Sequence, residues 1–371
     1  MKKLLFIAFA ALAASVACTK VETAEVQKEI SFEVANNIKT KAFTGSVYNN
    51  GAFGTYAWFN NNDDFMVNEQ VDLSGGVWKT VDNTYYWPKT GSLSFISYSP
   101  FEGTSNTAGT TPAVTKNTIT YTGVTAGATD LMYADKATCS NNVNEVTDNA
   151  TPESGYSGVP TIFRHALAKL SFKVQANFTQ WHDDATNSDT AWEITLNSFK
   201  IGGFNTTGDL ALTLNADGKS WDKPVTTVGG VDYNVWTNAS GATSDQELVA
   251  TPIVLTTTPQ DLASATGYVL PQILTAGVQT VDIDVHIKTT LANGKVINED
   301  FVKTINISEI STLKAWQMNE NIVYTIKFKP TAHSTEPGVT PHDDDPEDVI
   351  IKFDPAVADW TAVDAAATIQ I

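Results

Sequence analysis

Val281-Asp282-Ile283-Asp284-Val285-His286-Ile287 sets a branched apolar residue at every second position, with a polar side chain between each pair. Successive side chains on an extended chain point to opposite faces, so this period of two writes a half-buried strand. Asn293-Gly294 follows, the dipeptide favoured in a two-residue type I′ hairpin turn. Lys295 to Ile307 then runs back with Val296, Phe301, Ile305 and Ile307 as its apolar positions. The stretch predicts an antiparallel hairpin packed by one face on a core.

The pattern recurs outward from there. Leu210, Leu212 and Leu214 alternate ahead of Asp217-Gly218, a second hairpin signal. Leu93, Phe95 and Tyr98 lie between Trp87-Pro88 and Pro100, so breakers bound that strand on both sides. No segment sustains a 3.6-residue period, and short turns of helix are all the pattern allows. A chain of 371 residues has room for two or three domains, and many short strands with regular turns predict an all-β protein of two β-sandwiches in series. Residues 138–158, rich in Asn, Thr, Ser, Gly and Pro, read as a surface loop, and the domain junction is placed near 163. The expected division is a signal peptide 1–17, a propeptide with the first strand 18–41, domains 42–163 and 164–330, and a linker with tail 331–371.

The first eighteen residues set the compartment. Lys2 and Lys3 precede an apolar run from Leu4 to Ala14, then Ser15-Val16-Ala17 lead to Cys18. The pattern predicts a signal peptide of the lipoprotein kind, in which Cys18 receives the lipid and becomes the first residue; the alternatives are ordinary secretory cleavage and a retained helix. The formal charge of −18 with no basic cluster repels phosphate backbones, which excludes nucleic acid as a partner. With Cys18 lipidated, Cys139 is a lone thiol, read as a small residue packed in or near a strand end.

The two ends of the chain carry the assembly signals. Pro330 to Asp348 holds four prolines and the acidic run Asp343-Asp344-Asp345-Pro346-Glu347-Asp348, an extended tether. Beyond it Ile351, Phe353 and Val357 form one apolar stretch, and Val363, Ala365, Ala367, Ile369 and Ile371 alternate to the last residue. A strand on such a tether can pair away from its own domain, as a donor strand; the alternative is an ordinary last strand folded back on its own sheet. Near the other end Val26, Ile30, Phe32 and Val34 form a strand pattern, followed by Lys39-Thr40-Lys41-Ala42, which suits a trypsin-like maturation protease. Cleavage between Lys41 and Ala42, with Lys39-Thr40 as second choice, would free that first strand and leave a trough for a tail from another subunit. Burying two isoleucines and a valine there contributes roughly 5 to 8 kcal/mol before ordering costs.

Catalytic signals are weak. The chain has no Gly-x-Ser-x-Gly elbow, phosphate loop or His-Glu-x-x-His, so no enzyme activity, cofactor or metal is expected. His182-Asp183-Asp184 reads as a solvated polar loop, Asp343 to Asp348 as linker and His165 as a structural histidine. Trp78, Trp87, Trp192, Trp221, Trp236 and Trp316 read as core or edge packing in preference to a sugar-stacking platform.

Several stretches together resemble the fimbrillin-like proteins, or type V pilins. They are Cys18 in its lipobox-like setting, Gly54-Thr55-Tyr56-Ala57-Trp58-Phe59, Tyr85-Tyr86-Trp87-Pro88, Leu93 to Pro100 and Asp130-Leu131-Met132-Tyr133-Ala134. Phe163-Arg164-His165-Ala166-Leu167-Ala168-Lys169-Leu170, Tyr268-Val269-Leu270-Pro271-Gln272, Trp316-Gln317-Met318-Asn319 and Tyr324 continue the match. The resemblance implies two tandem transthyretin-like, Greek-key β-sandwich domains with a C-terminal donor-strand tail. It further implies lipoprotein export to the outer membrane, clipping near the N-terminus and polymerisation into a surface fimbrium with copies of itself or related pilins. Many members are cut after arginine, where this chain offers Lys39 and Lys41. A host or bacterial surface ligand is compatible with that role. The alternative expectation is a monomeric surface lipoprotein that binds a glycan or another ligand, held to the membrane only by its lipid.

Overall fold

The computed structural model describes residues 29–36, 48, 50–88, 90–101, 111–127, 129–140, 158–177, 179–183, 188–242, 246–262, 267–310, 313–328, 350–353 and 367–370. Strand is the dominant element, and the four-residue Ile307–Ile310 is the only helix among the described residues. The chain opens with β1 (Phe32–Asn36), β2 (Phe53–Phe59), β3 (Asp63–Ser74), β4 (Val77–Thr80) and β5 (Ser92–Ser99). It continues with β6 (Ala113–Thr115), β7 (Thr118–Thr125), β8 (Met132–Ala134), β9 (Ala137–Ser140) and β10 (Val159–His165). β2 pairs with both β3 and β5, so the sheet order β2-β3-β4-β1-β10-β8-β5 returns to its start and closes a ring, with β9 added along β5. Closure removes free edges, and the inward side chains fill the ring. Phe53, Met66, Val71, Leu93, Phe95 and Phe163 are buried there.

Gly54 shows how tightly the ring is packed. It stands opposite Tyr98 across the β2–β5 ladder, and a Cβ at position 54 would lie 2.2 Å from the Tyr98 ring. The Tyr98 hydroxyl continues past it to donate to Asn68 Oδ1 at 2.7 Å.

The second half forms a two-layered core. β11 (Ala168–Ala176) buries Ala168, Leu170, Phe172, Val174 and Ala176, alternate residues of one face. It runs parallel to Asn321–Phe328 in register from Lys169↔Asn321 to Ala176↔Phe328. The facing sheet contains β12 (Gln180–Asp183), β13 (Ser188–Gly202), Thr280–Thr290 and Val296–Asn306. Here Val281, Ile283, Val285 and Ile287 are buried, as their alternation dictates. The return strand differs from the expectation. Ile297, Phe301 and Ile305 lie on the core side, as does Ile307, buried at the start of the short helix, which leaves Val296 alone of the expected set on the opposite face, 47% exposed. The turn also differs: Gly294 N–H donates to the Leu291 carbonyl and only Gly294 has positive φ, at 81°. A type I′ turn needs two such residues, so the loop is a longer one closed by a glycine bulge.

A third core joins the halves. β14 (Asn205–Leu214) pairs with β7, from Thr207↔Thr125 to Thr213↔Thr118, so one five-stranded sheet takes strands from both sides of residue 163. Ile96, Tyr121 and Tyr133 meet Leu210, Leu212 and Trp236 in that core. The Trp236 indole N–H donates to the Ala166 carbonyl at 2.8 Å, which fixes the bend between β10 and β11. Beside it the carboxylate of Asp130 pairs with His165 Nδ1 at 2.7 Å, both side chains buried.

Candidate assembly site

β1 is a short strand set into a seam of the ring. On one side it runs parallel to β10, in register from Phe32↔Val159 to Asn36↔Phe163. On the other it meets β4 antiparallel at Phe32↔Trp78 alone. The Ile30 N–H donates to the Tyr85 carbonyl at 2.9 Å, Val159 N–H donates to the Ser31 carbonyl at 2.8 Å, and Glu29 bridges Tyr86. Gly158 is needed for this approach, since a Cβ there would fall 2.7 Å from the Ser31 carbonyl oxygen.

Apolar side chains provide most of the hold. Ile30 and Phe32 are buried and Val34 is partly so. The Phe32 ring stands edge-on to Phe53 at 5.6 Å and to Phe95 at 5.8 Å, a favoured aromatic arrangement. Tyr48, on the far side of the 39–42 segment, stacks on Phe163 at 5.0 Å and meets Trp78 edge-on. Its hydroxyl lies 2.6 Å from Ser99 Oγ, and burial pushes its pKa far above the ordinary phenol range. Burying Ile30 and Phe32 stabilises the inserted strand by about 3 to 6 kcal/mol. Removing β1 breaks the ring open between β4 and β10, leaving an apolar slot and unpaired β10 backbone.

The tail contributes two described strands. Ile350–Phe353 pairs antiparallel with the end of Asn321–Phe328, through Ile326↔Phe353 and Lys327↔Lys352. Ala367–Gln370 pairs with Ile350–Phe353 through Ile351↔Ile369 and its neighbours. Ile351, Phe353, Ala367 and Ile369 of the expected donor set therefore stand in one hairpin on their own sheet. Cys18, Val26, Lys39, Thr40, Lys41, Ala42, Val357, Val363, Ala365 and Ile371 lie outside the described residues.

The remaining candidates fall elsewhere. His182 and Asp183 belong to β12, paired with Asp189 and Ser188, so the expected polar loop is a strand at those positions. Among the described residues no three His, Cys, Asp or Glu side chains gather to hold a metal ion. Trp87, Trp192, Trp221, Trp236 and Trp316 are buried in the cores. Trp78 packs against the ring core and lines the β1 slot. Cys139 is buried in β9, and desolvation pushes its thiol pKa up to about 12. Among the described residues no helix is long and apolar enough to cross a membrane.

What the sequence reading missed is the partner of the first strand. Its signal was Gly158-Val159-Pro160, where a glycine admits close backbone approach just ahead of a strand.

An all-β chain whose closed ring depends on a short inserted strand defines the structural class. The chain belongs to the fimbrillin-like family, whose model matches residues 40–360. Membership implies a structural subunit of a cell-surface fimbrium that associates with other fimbrial subunits. Comparison with curated proteins finds no match. Among solved structures, a protein assigned to cell adhesion from Bacteroides uniformis is similar at 21% identity, covering 90% of this chain and 98% of its own, with a TM-score of 0.41. A fimbrial protein from Bacteroides vulgatus is 16% identical over 81% of this chain and 95% of its own, TM-score 0.49. The fimbrial anchor protein Mfa2 from Porphyromonas gingivalis is 12% identical over 91% of this chain and all of its own (100%), TM-score 0.28.

Proposed function

We propose that the chain is a pilin exported as a lipoprotein on Cys18, clipped after Lys41, and polymerised when the C-terminal tail of one subunit replaces β1 of the next. The observation that carries this reading is the seam: β1 has a five-residue ladder on one side and a single pair on the other, yet its side chains complete a core. A strand so held can leave once cut free, and the slot it vacates takes another strand by β-addition. The cut would fall between β1 and Tyr48, so Tyr48 stays with the body and keeps one wall of the slot in place. The tether supports the same reading. Ile326 and Phe353 pair although 26 residues separate them, a connection longer than a compact domain ordinarily uses.

N-terminal sequencing of assembled fibres should begin at Ala42. Fibres that begin at Cys18 would overturn the activation step. Cys18→Ala should abolish lipid labelling and surface delivery of the precursor, measured by labelled fatty acid incorporation and surface proteolysis. Normal display of that variant would count against a lipoprotein route.

One observation favours the second reading, a monomeric surface lipoprotein binding a glycan or another ligand: the tail strands pair on their own sheet. Under that reading a clipped full-length protein stays monomeric at high concentration in size-exclusion chromatography.

A further inference from the structure

The tail repeats the motif of the strand it would replace. β1 and the residues before it read Ile30-Ser31-Phe32-Glu33, and the tail reads Ile351-Lys352-Phe353-Asp354. Isoleucine, a polar residue, phenylalanine and an acid occur in this order at these two places only in the 371-residue chain. The slot explains why the order matters. Phe32 is held edge-on between Phe53 and Phe95, a pocket shaped for a flat ring, and Ile30 fills the next inward position two residues earlier. From residue 331 onward the only Phe, Tyr or Trp residues are Phe353 and Trp360, and Trp360 has Ala358 two residues before it. The terminal ladder ending Ile369-Gln370-Ile371 offers no ring at all.

We propose that Ile351 and Phe353 of one copy take the places of Ile30 and Phe32 in the next, with the donor running parallel to β10 in the register of β1. Phe353 then stands opposite Val159 and Trp78, as Phe32 does. Lys352 takes the place of Ser31, whose contact with Val159 is made by its backbone carbonyl and so accepts any side chain. Pro355 falls at Val34 and, having no N–H, shortens the ladder beyond Asp354. To enter the slot, Ile350–Phe353 must give up both of its intramolecular neighbours, Asn321–Phe328 and Ala367–Gln370, because β4 and β10 claim both its edges. The inference rests on the strand-exchange reading and selects the first tail strand over the terminal one.

The test uses clipped full-length subunits, half of them isotopically heavy, with p-benzoylphenylalanine in place of Phe353 or, separately, of Ile369. After polymerisation and illumination, mass spectrometry reads the heavy–light crosslinked peptides. The expected result is that the probe at 353 joins the neighbour near Phe53, Trp78 or Phe95, and that Phe353→Ala lowers polymer yield by about tenfold or more. Slot crosslinks from 369 and not 353, or wild-type polymer yield from Phe353→Ala, would overturn the register while leaving exchange intact. Polymers in which neither probe reaches the slot, or no polymers from the clipped wild-type chain, would remove exchange and register together.

Discussion

Phe32→Ala is expected to destabilise the uncut precursor by about 3 to 5 kcal/mol and to leave the assembled fibre unchanged. The ring of Phe32 is buried between Phe53 and Phe95, and its loss leaves a cavity that a closed ring of strands cannot readily collapse. In the precursor that cost appears in full, measured by urea unfolding of a lipid-free chain. Once the propeptide is cut away, residue 32 no longer belongs to the folded body, so fibres from the variant should resist unboiled denaturing electrophoresis as wild-type fibres do. A variant whose fibres are weakened as much as its precursor would show that β1 stays in its slot after assembly.

Deleting Val349 to Ile371 should have the opposite pattern, sparing the body and abolishing the polymer. Within the described residues the tail joins the body's ladders at Ile326↔Phe353 and Lys327↔Lys352, and Ala367–Gln370 also lies against the short helix Ile307–Ile310. Asn321–Phe328 keeps its eight-residue parallel register with β11 on the other edge, and Ile322, Tyr324, Ile326 and Phe328 remain buried in the core. The melting temperature, read by calorimetry, should therefore move little, while the clipped variant runs as a monomer at all concentrations. Should the deletion unfold the body, the tail is an integral last strand and the monomeric surface protein becomes the better reading.

The sequence showed which residues are buried far better than which strands are neighbours. Alternation at Val281, Ile283, Val285 and Ile287 names a covered face because the pleat allows no other outcome. Nothing in that pattern says that β14 pairs with β7, whose register partners lie more than eighty residues away, or that β1 pairs with β10. Pairing is decided by the whole chain's packing, and period two is the same for every strand. Turn chemistry was legible in place and not in type. Asp217-Gly218 marks a hairpin between Leu214 and Trp221 as read, whereas at Asn293-Gly294 only the glycine adopts positive φ, so the expected two-residue turn is a longer loop. The site was half legible: Ile30, Phe32 and Val34 were read as a strand, while the seam that makes it removable exists only once the ring is closed.

The bend at Ala166-Leu167 has a mechanical consequence. β10 passes directly into β11 through these two residues, and β11 lies alongside Asn321–Phe328, from which the tail departs. In a fibre joined at the β1 slot, tension from a neighbour would enter along β10, cross into β11 and leave through the next parallel strand. The step from β10 to β11 runs along the chain itself, while the handovers from the donor to β10 and from β11 to Asn321–Phe328 are between parallel strands lying side by side. A pull along the fibre therefore shears the hydrogen bonds of each ladder together and does not peel them singly. Most of the protein would then bear no load, and the Trp236 and Asp130–His165 contacts, which sit at the bend, would act as its brace.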